Sequence, residues 1–277
     1  MARKQKKHRR ERSRLGKLFQ FLAIVAVIAA MTVGATVFFQ VETIEVSGNQ
    51  RYTQEEIVAT TGIQIGDNLF RMNKFAIQDH VLEEMPYVES ILIRRKLPST
   101  ITVAVEEWDA VAQIQPNLSW VAPEPELDKN GEPIPFPKAT DQAWLISVGG
   151  KVLEEVADSP RIKVTGLTAM DTRAGVPVVV PEEEQARLEG LLNLLAELEV
   201  QQMLADVSAV ELRSTNLVME YLGRYDVKLP LNGDTTYQLQ ALLAAVEDRE
   251  RDAGTDITGS FDLTQSFTVV YSPQRLG

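Results

Sequence analysis

Carboxylates are the groups best placed, by number, to do chemistry in this chain of 277 residues with 39 Asp and Glu. They cluster as Glu83-Glu84, Glu106-Glu107, Glu154-Glu155 and Glu182 to Glu184. Neighbours on a strand face opposite ways, and neighbours on a helix diverge by about 100°. None of these clusters is therefore preset as an acid and base pair, which a glycosidase holds about 5 to 9.5 Å apart across a cleft. Solvated surface acids are the expectation. Cysteine is absent, which removes thiolate nucleophiles, disulfides and cysteine metal sites. The two histidines are His8 and His80. They cannot form a multi-histidine metal site beyond residue 39, and a Ser-His-Asp arrangement would have to use His80. Asp128-Lys129-Asn130-Gly131 with Glu132 offers oxygen donors, but a calcium loop needs its glycine sixth rather than fourth. A tight turn at Asn130-Gly131 is the better reading. No nucleotide-binding, nucleophile-elbow or zinc-protease motif occurs. The expectation is no enzyme, no catalytic residue, no metal, no cofactor and no small-molecule substrate.

The elements around these groups begin with an abrupt change of character. Residues 1–17 carry nine Lys and Arg against Glu11, a charge of +8. The whole chain carries −11, so residues 18–277 carry −19. The 22 residues from Leu18 to Phe39 are uncharged and mostly apolar. As a helix they measure roughly 33 Å, enough for a hydrocarbon core of about 30 Å. A single membrane-spanning helix over residues 18–39 is expected, with the basic tail 1–17 cytoplasmic by the positive-inside rule. A cleaved secretory signal ending near Val33-Gly34-Ala35 is the alternative, though the apolar run is longer than the usual h-region. Both readings put the acidic remainder outside the cytoplasm, and its charge argues against nucleic acid.

Beyond the apolar run, Val41 to Val46 alternates like a strand, and Thr53-Gln54-Glu55-Glu56 has the form of a capping box. It predicts a helix from Gln54 to Thr61, stopped by Gly62. Asn73 starts a second helix with Ile77, Val81 and Met85 on one face, closed by Pro86. From Tyr87 the period becomes two, giving a hairpin of Ile91, Ile93 and Arg95 against Ile101, Val103 and Val105 through Leu97-Pro98-Ser99-Thr100. The order strand, helix, helix, strand, strand fits a two-layer α+β module over residues 41–108.

The larger remainder, residues 109–272, reads as a mixed β-domain with two covering helices, followed by a short tail at 273–277. Val111 to Ile114 reads as extended chain, and Trp144 to Ser147 with Lys151 to Leu153 as strand, turn and strand. A helix follows Pro181, with Glu182 to Glu184 in its first turn and Leu188, Leu191, Leu192, Leu195 and Leu198 as its stripe. Val207–Leu212, Leu217–Leu222 and Tyr225–Leu229 read as an antiparallel meander. The second helix, Thr235 to Arg251, carries Leu239, Leu242, Leu243 and Val246, and the last strand runs from Phe267 to Tyr271.

The run Ile44-Glu45-Val46-Ser47-Gly48-Asn49, then Gly66-Asp67-Asn68-Leu69-Phe70, then Arg94-Arg95-Lys96-Leu97-Pro98 to Glu107 resembles the FtsQ-type POTRA domain of the bacterial division proteins FtsQ and DivIB. Glu106-Glu107-Trp108-Asp109 departs from the family's usual Glu, basic, apolar, Pro ending. The later order of helix, three strands, helix and terminal strand is similar to the FtsQ β-domain. This resemblance implies a non-enzymatic, single-pass type II membrane protein at the division septum. It implies recruitment of FtsB/DivIC-like and FtsL-like single-span partners by strand addition at the last strand, with Phe267, Thr268, Val269, Val270 and Tyr271 as the binding residues. Membrane lipid would be met through residues 18–39. A POTRA-containing envelope assembly or secretion adaptor, and an envelope-polymer enzyme built on paired carboxylates, are the alternatives.

Overall fold

The computed structural model describes residues 8–121, 129, 138–265 and 268–276, with backbone only at 8–15, 32, 33 and 35–37. The Asp128 to Gly131 turn, apart from Lys129, lies outside the described residues, as does Phe267. The chain divides into two compact units, Met1–Val81 with Ser90–Glu106, and Leu82–Glu89 with Glu107–Gly277.

The first unit opens with helix α1, His8–Phe38. Among the described residues no helix is long and apolar enough to cross a membrane. The described side chains of α1 from Leu18 to Met31 are nevertheless exposed and, apart from Gln20, uncharged and nonpolar on every side. β1 (Thr43–Ser47), α2 (Gln54–Thr61), α3 (Lys74–Glu84), β2 (Val88–Lys96) and β3 (Thr100–Glu107) follow. The sheet order is β1-β3-β2, with β1 parallel to the central β3. The α2 capping box is present: Glu56 N–H donates to Thr53 Oγ1 at 3.2 Å, and Thr53 N–H donates to Glu56 Oε2 at 2.8 Å. The Thr53 backbone N–H and then the Thr53 hydroxyl, each donating to Glu56 Oε2 at 2.8 Å, hold the Glu56 carboxyl below its ordinary range. Gly62 ends the helix at φ 67°, a left-handed conformation that costs glycine least. Ile57, Leu69, Val81, Ile101 and Val103 fill the core.

The second unit is built on a nine-stranded sheet in the order β12-β11-β10-β9-β8-β7-β4-β5-β6. Its strands are β4 (Ala112–Ile114), β5 (Ala143–Ile146), β6 (Val152–Val156), β7 (Ile162–Thr165), β8 (Val207–Leu212), β9 (Asn216–Tyr221), β10 (Tyr225–Pro230), β11 (Gly259–Asp262) and β12 (Val270–Ser272). β8, β9 and β10 form the expected antiparallel meander. The parallel pairs β7–β8 and β10–β11 are each joined through a helix, α4 (Gln185–Val200) and α5 (Thr235–Ala253). Parallel neighbours need such a long crossover, so each helix is both connection and cover. Leu191, Leu195 and Leu198 of α4 and Leu239, Leu242 and Val246 of α5 share one core with Val210, Met219, Val227 and Phe261.

Three expectations need correction. Leu243 remains 39% exposed, because it sits about 100° around the helix from Leu242, at the edge of the buried stripe. Glu182 to Glu184 form a 3-10 turn, so α4 begins at Gln185. Glu184 is buried rather than solvated: it accepts from Thr168 N–H at 2.6 Å and Thr168 Oγ1 at 3.0 Å, and pairs with Arg187 at 3.1 Å. The acid ties the loop after β7 to the start of α4.

Candidate functional site

The terminal strand is shorter and later than its sequence suggests. It covers Val270 to Ser272, while Thr268 and Val269 lie in the preceding loop. β12 pairs antiparallel with β11, placing Tyr271 opposite Phe261, and stands last in the sheet order. Among the described residues its outer side carries no further strand. An edge of this kind presents backbone donors and acceptors to any strand that arrives. The sequence from Thr264 to Gln274 contains no charged residue to deter one.

Side chains fix β12 from one face. Tyr271 stacks at 5.2 Å on Phe261, which meets Tyr225 at the same ring separation. The Tyr271 hydroxyl donates to Thr258 O at 2.9 Å, and the Arg249 guanidinium lies 4.6 Å from the ring centre. Val270 is 48% exposed. Gly259 permits the close approach of the two strands: a Cβ there would fall 2.3 Å from Ser272 O and 2.8 Å from the Tyr271 ring. Beside the loop leading into β12, a cavity of about 330 Å³ is lined by Pro230, Asp234, Tyr237, Leu263, Thr268 and Val269.

The residues after β12 fold back over the sheet's other face. Asp226 on β10 and Glu220 on β9 stand directly opposite, an unfavourable pairing of like charges. Arg275 bridges them, donating to Glu220 Oε1 at 2.7 Å and through Nε to Asp226 Oδ1 at 3.0 Å. Leu276 N–H donates to Asp226 Oδ2 at 2.7 Å, and Ser260 Oγ donates to Gln274 O at 2.9 Å. Burial is the largest influence on the Asp226 carboxyl and pushes it up, but the hydrogen bonds from Arg275 and Leu276, with the charges of Arg275 and Arg213, outweigh it and hold the group low. Glu220 is held low first by Ser208 and then by Arg275. Arg275 is shifted upward by the same two acids.

Sequence reasoning found the last strand and missed these supports. The alternation of Tyr225-Asp226-Val227-Lys228 signals that Asp226 faces away from the core, yet nothing local pairs it with an arginine 49 positions later. Of the adjacent acids, Glu83, Glu84, Glu106 and Glu155 are exposed, and Glu107 and Glu154 are half-buried. Among the described residues no group of three or more His, Asp or Glu is placed to hold a metal ion.

Residues 39–108 match the family model described as "POTRA domain, FtsQ-type". The chain is 29% identical over 117 residues to "Cell division protein DivIB" of Clostridium acetobutylicum, covering 42% of this chain and 45% of that protein. It is 25% identical over 232 residues to the protein of the same name from Clostridium botulinum, covering 82% and 75%. It is 26% identical over 202 residues to "Cell division protein FtsQ" of Geotalea daltonii, covering 61% and 71%. The first of these alignments spans less than half of the relative's length.

Proposed function

This chain belongs to the FtsQ/DivIB family of cell-division proteins, and on that premise we propose that it is a non-enzymatic scaffold of the division septum that receives partners by strand addition at β12. The observation that carries the reading is the position of β12 at the end of the sheet, paired on one side only among the described residues. A partner strand gains main-chain hydrogen bonds along the edge, while its side chains meet Val270 and the cavity bounded by Thr268, Val269 and Tyr237. The partners are FtsB/DivIC-like and FtsL-like single-span proteins. Phe267 belongs to the same binding run by sequence.

Location follows from α1. A helix exposed and apolar on all sides requires an apolar surround, which a bilayer supplies. In this reading residues 18–39 anchor the protein in the cell membrane, the basic tail stays cytoplasmic and both compact units lie outside.

The reading is tested by deleting residues 266–277 from the full-length protein and measuring both septal localisation of a tagged copy and co-purification of the DivIC-like partner. Localisation with loss of the partner is expected. A second variant, Val270→Pro, removes the Val270 N–H that faces Asp262 of β11, which loosens β12 while leaving the tail in place, and should also weaken capture. Undiminished partner recovery in both variants contradicts the proposal.

A further inference from the structure

The first unit exposes apolar side chains and cations close together near the end of α1. Residues 39–41 and 66–69 pair as a short antiparallel ribbon: Leu69 N–H donates to Phe39 O at 2.9 Å, Val41 N–H to Asp67 O at 2.8 Å, and Gln40 bridges Asn68. That register brings Phe70 level with Phe38, the last residue of α1, and the Phe70 ring meets Phe39 edge-on at 5.1 Å. The connection from Ile63 to Lys74 is thereby fastened to the place where the apolar helix ends.

This connection exposes large apolar side chains: Ile65 is 65%, Phe70 55% and Phe75 66% exposed. Two of the three rings or chains carry a cation. Arg95 lies 5.8 Å from the Phe70 ring centre and donates to Met72 O at 3.1 Å, and Lys74 lies 5.0 Å from that of Phe75. Arg71 is exposed beside them. Against these cations stands Asp67, whose carboxylate is engaged by Gln64 N–H at 2.9 Å. A local positive surface thus sits in a region, residues 18–277, whose charge is −19.

We propose that this surface, centred on Phe70 and Phe75 with Arg71, Lys74 and Arg95, docks on the anionic lipid surface of the membrane that α1 enters. The proposal rests on the reading of α1 as the anchor. Aromatic rings suit the boundary between headgroups and acyl chains, and the cations beside them suit lipid phosphates. Docking would give the first unit one fixed attitude on the bilayer instead of free rotation about its tether. The exposed rings then have a surround, and the charge of the patch has a complement.

The absence of cysteine makes the test direct, since a single introduced cysteine is the only labelling site. Full-length protein is reconstituted into phosphatidylglycerol–phosphatidylethanolamine vesicles with a spin label at Ile65→Cys, Ala76→Cys or Ile24→Cys. Oxygen and nickel-chelate accessibility then report depth. The labels at 65 and 76 are expected in the interfacial layer, within about 5–10 Å of the headgroup boundary, and the label at 24 in the hydrocarbon. Combining either external label with Arg71→Glu and Lys74→Glu should return it to water. Aqueous labels at 65 and 76 with a hydrocarbon-buried label at 24 overturn the docking and leave the anchor standing. An aqueous label at 24 overturns the anchor, and the docking with it.

Discussion

The two ends of the nine-stranded sheet are treated differently. At one end the start of β6 is covered by residues 175–178: Val152 N–H donates to Val176 O at 2.8 Å, Gly175 N–H to Val152 O at 2.8 Å, and Val178 N–H to Gly150 O at 2.9 Å. The strand then continues through Glu154 and Glu155, charges that discourage a further neighbour. At the other end β12 is short, uncharged and bare on its outer side among the described residues. Protecting one edge and not the other is costly unless the open edge is used, because an open edge invites aggregation. The contrast is between a covered end and an end that, in the proposed reading, receives a partner strand.

That contrast can be broken most severely at Gly259. Gly259→Val should displace β12 from β11, since even a Cβ would overlap Ser272 O, and partner affinity should fall more than about tenfold in a binding titration. Next in size, Val270→Lys would give β12 the kind of charge that β6 carries. Affinity should drop several-fold while denaturant stability changes by no more than about 0.5 kcal/mol, because the side chain is half exposed.

Arg275→Ala should have a smaller effect, about 1 kcal/mol of unfolding free energy, for a partly exposed ion pair. Its pH dependence has a definite sign. Asp226 and Glu220 are held below the ordinary carboxylate range, so the clamp contributes fully above about pH 5 and is lost as pH falls through their folded values. The stability gap between wild type and Arg275→Ala should therefore close in acid. The smallest effect is expected from Glu155→Val at the closed end, where 175–178 still covers the start of β6. Partner affinity should stay unchanged, with a slight rise in self-association by light scattering.

Local signals made the first unit legible. The capping box at Thr53, the stop at Gly62 and the change of period after Pro86 each act within a few residues, and each element stands where its signal put it. Strands β8 to β10 were legible for the same reason, being joined by tight turns. The supports of the candidate site were not. Gly259 matters through Ser272, and Asp226 through Arg275, contacts set by sheet order rather than by neighbouring sequence. The alternation near the C-terminus signalled a strand, while its length and its place at the end of the sheet are set by its pairing with β11.

Backbone amide hydrogen exchange on the full-length protein, with and without the external segment of the proposed DivIC-like partner, tests the proposed receiving edge most directly. The account predicts that exchange at Val270 to Ser272 slows on partner addition, with Val152 to Val156 unchanged. Saturating binding that leaves the amides of Val270 to Ser272 as fast as before would contradict it.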